Sequence, residues 1–125
     1  MTERDAAIKL VYKSVKGRAP FALEDFVQML RLWEVVPLYE NGRIIGGVLA
    51  KDNEVHVGYG EKPRASIRPY IKEILGGVID KYGCAVTKVQ ADNSRGLRFC
   101  ERLGFVKLGE ENGTIQLRCD RSNYL

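Results

Sequence analysis

The chain's one histidine follows a glutamate by two residues, in Glu54-Val55-His56-Val57-Gly58-Tyr59. The run alternates and is rich in β-branched and aromatic residues, so it reads as a strand. Glu54, His56 and Gly58 then share one face, and Val55, Val57 and Tyr59 the other. An imidazole titrates near neutrality and can take a proton from a reacting group. A carboxylate beside it can orient it or raise its pKa. The plainer reading is a strand-face histidine held by glutamate in a structural hydrogen bond. A second cluster follows. Lys62, Arg64 and Arg68, with Ser66 among them, surround the start of a predicted helix. Cations there oppose the helix dipole, so a bound anion would explain them; a solvated basic helix start is the bland alternative.

Both clusters need elements to hold them, and the most readable of these is CAVTKVQADNSRGLRFCERLGF, Cys84 to Phe105. Ala85, Val86, Thr87 and Val89 suit a strand. Asp92, Asn93 and Ser94 are all good N-cap residues. Leu97, Cys100 and Leu103 recur at helical spacing with Phe99 beside them, while Arg95, Arg98, Glu101 and Arg102 can face water. Gly104 stops the helix and Phe105-Val106 opens another strand.

Upstream, residues 3–16 read as a helix capped by Thr2, although AIKLVYKSV also suits a strand. Gly17 and Pro20 break the chain. A second helix is expected over 22–32, with Leu23, Phe26, Met29 and Leu30 on one side. Trp33 and Phe26 read as core. Strands follow at Val35–Tyr39 and Arg43–Ala50 about an Asn41-Gly42 hairpin turn, then at Glu54–Tyr59 after Asp52-Asn53. Pro37 marks an edge or bulge, and Gly46-Gly47 a bulge or close backbone approach. Ile67, Ile71, Ile74, Leu75, Val78 and Ile79 form a helical stripe. Ser66 or Arg68 could cap that helix, Pro69 is tolerated in its first turn, Gly76-Gly77 suggests close packing on the sheet, and Tyr82-Gly83 ends it. Strand, helix, strand makes a βαβ crossover, so its two strands should be parallel. Val106–Gly109 and Thr114–Arg118 are expected to pair through Glu110–Gly113.

The Asn93…Gly96…Leu103-Gly104-Phe105 spacing, with the strand before it, resembles the C-terminal core of the GNAT (GCN5-related N-acetyltransferase) superfamily. The resemblance covers about residues 22–120. It implies an α/β (α+β) fold: a mixed, mostly antiparallel sheet with a parallel splayed pair at the family's fourth and fifth strands, flanked by helices. It also implies one acyltransferase domain over 1–125. The implied activity is transfer of an acyl group from acetyl-CoA, without a metal, to an amine that attacks directly in a ternary complex. The donor would lie in the splay. His56 becomes the candidate base, oriented by Glu54. Cys100 stands where many members carry the tyrosine that protonates the leaving thiolate. Donor-binding positions are Val57, Gly58, Lys62, Arg64, Ala65, Ser66, Arg68, Asn93, Gly96 and Phe99. Tyr12, Trp33, Tyr39 and Tyr59 are candidates for an acceptor pocket.

The sequence departs from the family at the phosphate loop. The glycines of its Arg/Gln-x-x-Gly-x-Gly/Ala signature are missing from Arg64-Ala65-Ser66-Ile67-Arg68-Pro69, and Pro69 removes an N–H donor. A degraded loop, Trp33 with Pro37, Gly46-Gly47 and Glu54-x-His56 together look most like GNAT-like proteins of bacteriophages. Two alternatives follow from that likeness: a non-catalytic structural or interaction protein, and a nucleic-acid-modifying enzyme.

Composition narrows the field. One domain of 125 residues can bury a core. No apolar run approaches the roughly 20 residues of a membrane span, and the first ten residues lack a signal-peptide pattern. Three cysteines without metal-ligand spacing fit a reducing cytoplasm, that of the host if the protein is phage-encoded. A net charge of +4 suits a polyanionic ligand but is too small to argue for nucleic acid. A dimer is compatible with everything above.

Overall fold

A computed structural model describes residues 2–17 and 20–122; the outermost residues of the expected 1–125 domain lie outside them. The elements are α1 (Glu3–Val15), α2 (Leu23–Met29), β1 (Glu34–Glu40), β2 (Arg43–Lys51), β3 (Glu54–Tyr59), α3 (Arg68–Tyr82), β4 (Cys84–Gln90), α4 (Ser94–Leu103), β5 (Val106–Glu111) and β6 (Thr114–Asp120). The strands hydrogen-bond in the order β1-β2-β3-β4-β6-β5. β3 and β4 are parallel and share the register pair Glu54↔Val86. The parallel pair is thus formed by this chain's third and fourth strands. No helix among the described residues is long and apolar enough to cross a membrane. The chain divides into two compact units: residues up to Lys51 with His56–Ser66, and Asp52–Val55 with residues from Ile67 onward.

In the first unit, the ambiguous opening run is helical because its ends and its face both favour helix. Thr2 accepts from the Asp5 N–H at 3.0 Å and Asp5 reaches back to the Thr2 N–H, forming a capping box. Ala7, Ile8 and Val11 are buried along one side. Ile8 and Val11 join Phe26, Leu30 and Leu49 in a core against which Tyr12, Phe21, Trp33 and Val35 pack. α2 is shorter than the expected 22–32. It ends at Met29, which is exposed rather than core, and the Arg4 guanidinium donates to the carbonyls of Leu30 (2.6 Å) and Trp33 (2.7 Å) just beyond.

The Asn41-Gly42 turn forms with both residues at positive φ, 52° and 78°. β1 is an edge strand, as Pro37 requires. The register slips between Leu38↔Gly46 and Tyr39↔Ile44, leaving Ile45 as a bulge next to the glycine pair. Gly46 allows a close approach: a Cβ there would lie 2.2 Å from the Gly58 carbonyl oxygen.

In the second unit, Ile71, Leu75 and Ile79 of α3 are buried. So are Ala85, Thr87, Ile115, Leu117 and Cys119, which alternate along the antiparallel β4–β6 pair. Lys88, Gln116 and Arg118 lie on its other, exposed face. Gly83 and Gly104 close α3 and α4 in the left-handed region. Three expectations need correction. Ile67, not Ser66 or Arg68, holds the N-cap position of α3, and no side chain caps it. Gly77 is not a close-packing site, since a Cβ there would meet nothing within 4 Å. The last hairpin turns on Asn112-Gly113 alone, so β5 and β6 run longer than expected.

Candidate functional site

His56 sits mid-strand on β3, half-buried, with its ring 5.8 Å from that of Trp33 and tilted by 48°. Trp33 is set by its packing on the first unit's core and by Arg4, which holds its carbonyl. Trp33 is therefore both core and the wall of the histidine, a pairing that spacing alone could not reveal. Gly58 shares the face of His56. A Cβ on it would lie 2.6 Å from the Ser14 hydroxyl and 3.0 Å from the Val11 side chain, so α1 already requires glycine there. Gly60 is pressed in the same way by Leu10, and its N–H reaches the bulged Ile45 carbonyl at 2.8 Å. Val57 is half-buried.

The loop after β3 carries Lys62, Arg64, Ala65 and Ser66, all exposed. Its backbone is engaged. One carboxylate oxygen of Glu40 accepts the N–H of Arg64 at 2.8 Å and of Ala65 at 3.1 Å. Arg43, across the hairpin turn from Glu40, pairs with Glu61 at 2.7 Å. Sequence reasoning missed Glu40. Its place beside the Asn-Gly turn was visible, but a partner 24 residues onward was not. Two successive N–H groups aimed at one oxygen are an anion-binding arrangement. The loop thus fits a phosphate chemically, although the glycines of the family signature are absent.

In the second unit, Glu54 is half-buried at the start of β3 and lines an open groove of about 230 Å³ with Val86, Lys88, Leu108 and Gln116. Leu108 is 62 % exposed where the β5 register slips. Asn53 anchors the parallel pair by accepting the Val86 N–H at 2.8 Å and donating to the Cys84 sulfur at 3.4 Å. Arg68 is exposed in the first turn of α3, which holds no acid and carries a proline.

At α4, Asn93 is the N-cap, its side-chain oxygen accepting the Gly96 N–H at 3.1 Å. A Cβ on Gly96 would lie 2.6 Å from the Asn93 amide nitrogen, so the cap itself requires the glycine. Phe99 and Cys100 are half-buried. Burial, and secondarily the Glu101 charge, pushes the Cys100 thiol from 9.0 up to about 11. Such a thiol holds its proton at neutral pH. Giving that proton to a thiolate of ordinary basicity, near 8.5, would be uphill by roughly 3 kcal/mol.

The other aromatic candidates serve different ends. Tyr12 donates to the Phe21 carbonyl at 2.8 Å and packs against Phe21 and Phe26. Tyr39 is exposed and donates to Glu3. The β-carbon of Tyr59 lies against Gly46.

No protein-family model matches the chain, and no curated protein matches its sequence. Solved structures do match. A ribosomal-protein-alanine N-acetyltransferase from Brucella melitensis is similar with a TM-score of 0.68 and 15 % identity, over 96 % of each chain. A spermidine N-acetyltransferase variant from Vibrio cholerae gives 0.71 and 13 %, over 97 % of this chain and 94 % of that one. A GNAT family acetyltransferase from Elizabethkingia anophelis, solved with acetyl-CoA bound, gives 0.66 and 16 %, over 90 % and 88 %. At these identities the likeness is one of fold, and the fold is that of the GNAT acetyltransferases.

Proposed function

We propose that this chain is an acyl-CoA-dependent N-acyltransferase, with acetyl-CoA as donor and an amine as acceptor. The observation that carries the reading is the loop before α3. It presents two backbone N–H groups to one anionic oxygen, among exposed cations, in a fold whose solved neighbours include one with acetyl-CoA bound. The donor supplies an activated thioester carbonyl. Lys62, Arg64 and Arg68 draw its phosphates by charge, with Ala65 and Ser66 between them. Val57 and Gly58 line its arm on β3.

The acceptor must arrive with its nitrogen lone pair exposed. His56, held against Trp33, takes the proton from the attacking amine. Glu54, two residues earlier on the same strand, orients the imidazole. As the new C–N bond forms, the C–S bond breaks, and water delivers the proton to the leaving sulfur. Cys100 fills space on α4 rather than donating that proton. Much of the rate then comes from holding the two reactants together.

One observation favours a second reading, a non-catalytic GNAT-like scaffold of the kind bacteriophages encode. The N–H pair of the loop is already filled by Glu40. Thiol release from acetyl-CoA, followed over a panel of polyamines, amino acids and N-terminal peptides, separates the two. The enzyme reading expects amine-dependent release. It also expects His56→Ala to lower kcat about a hundredfold while leaving the KM for acetyl-CoA unchanged. Unchanged kcat removes His56 from the mechanism. No release with any amine favours the scaffold.

A further inference from the structure

The loop from Gly60 to Ser66 is tied to the β1–β2 hairpin tip by two contacts of different character. Arg43–Glu61 is an exposed ion pair, its side chains 67 % and 50 % accessible, and such pairs contribute little. The Glu40 contact converges: a half-buried carboxylate takes two successive N–H groups on one oxygen. Those donors would serve a phosphate oxygen equally well. Glu40 brings its own negative charge to them, in a loop flanked by the exposed cations Lys62 and Arg64. A carboxylate kept there beside an arriving polyphosphate would repel it.

We propose that Glu40 is an internal anion occupying a phosphate-binding nest, and that the phosphate of the donor displaces it. Glu40 then sets donor affinity by competing with the donor. This rests on the acyl-CoA reading for its ligand, but the nest itself needs only a phosphate. Without donor, Glu40 fills the two N–H groups of the loop. When a phosphate takes the Arg64 and Ala65 N–H groups, the carboxylate swings to water from the end of an edge strand. The two states differ in the partner of those amides, so donor arrival is coupled to loss of one of the two ties to the hairpin tip.

The test measures binding of inorganic pyrophosphate and of CoA, by calorimetry, to the unaltered protein, Glu40→Gln and Glu40→Ala. The Arg64 and Ala65 amide resonances are followed in the same titrations. Glu40→Gln keeps the shape and removes the charge, and thermal melting confirms that both variants fold. The expected result is that both variants bind pyrophosphate and CoA roughly tenfold more tightly, the scale of one unit charge near a polyanion at a surface. The two amides should also shift on titration of the unaltered protein. Equal or weaker pyrophosphate binding by both variants overturns the proposal and makes Glu40 a strut. So does an absence of pyrophosphate binding throughout. Tighter pyrophosphate binding with no CoA binding by any form sustains the nest and refutes the acyl-CoA reading. CoA bound equally by all three forms does the reverse.

Discussion

At the start of α4, Asn93 closes the helix with its own side chain, and Gly96 is glycine because that cap occupies the space beside it. At the start of α3, Ile67 stands in the N-cap position, no side chain caps it, and Arg68 and Pro69 fill the first turn. α1 shows the ordinary solution, a threonine cap with Glu3 and Asp5 in its first turn. The α3 start lacks both devices, and the loop just before it binds a carboxylate from another strand instead. The difference separates a helix start closed by its own side chain from one whose preceding loop takes a carboxylate from β1. The types of Asn93 and Gly96 are explained by the cap. The types of Lys62 and Arg64, exposed in the loop before α3, are not set by a cap.

Substitutions at the two starts should therefore act on different quantities. The largest effect is expected at the α3 side. Arg64→Glu should weaken CoA binding about a hundredfold and leave the melting temperature within a degree or two. Unchanged affinity would erase the distinction. On the α4 side the quantities are stabilities. Below pH 9 the Cys100 thiol is neutral whether the chain is folded or not. Between pH 9 and about 11 the unfolded thiol ionises while the folded one keeps its proton. Stability should fall across that window by about 2–3 kcal/mol, and Cys100→Ala should flatten this part of the pH profile in denaturant titrations. A profile of equal slope in the variant would place the alkaline loss elsewhere. Asn93→Ala should cost about 1 kcal/mol; a larger change in CoA affinity than in stability would show that Asn93 also holds the donor. The smallest effect lies within α3 itself. Gly77→Ala, with open space around it, should stabilise by about 0.5–1 kcal/mol without touching CoA binding.

Local chemistry made most of the fold legible. Asn41-Gly42, the Asn93 cap and the Leu103-Gly104-Phe105 stop each act through neighbours a few residues away, and each forms as its residues dictate. The βαβ crossover followed from length and handedness. The misreadings share a cause in contacts distant along the chain. α2 ends early where Arg4 takes the carbonyls just past it. Gly58 and Gly77 look alike in sequence, yet one is pressed against α1 and the other faces open space. The α3 cap could not be assigned from Ser66 or Arg68, because Ile67 takes that position without any side-chain cap. The candidate site was legible as residue types but not as partners. His56 could be singled out, but not its wall, Trp33; the cations around α3 could be counted, but not the carboxylate among them.

The most direct measurement is titration of acetyl-CoA into the purified protein, read by calorimetry beside Arg64→Glu. Saturable one-to-one binding by the unaltered chain, lost in the variant, is the predicted outcome. No heat of binding from the unaltered chain at millimolar acetyl-CoA would contradict the account.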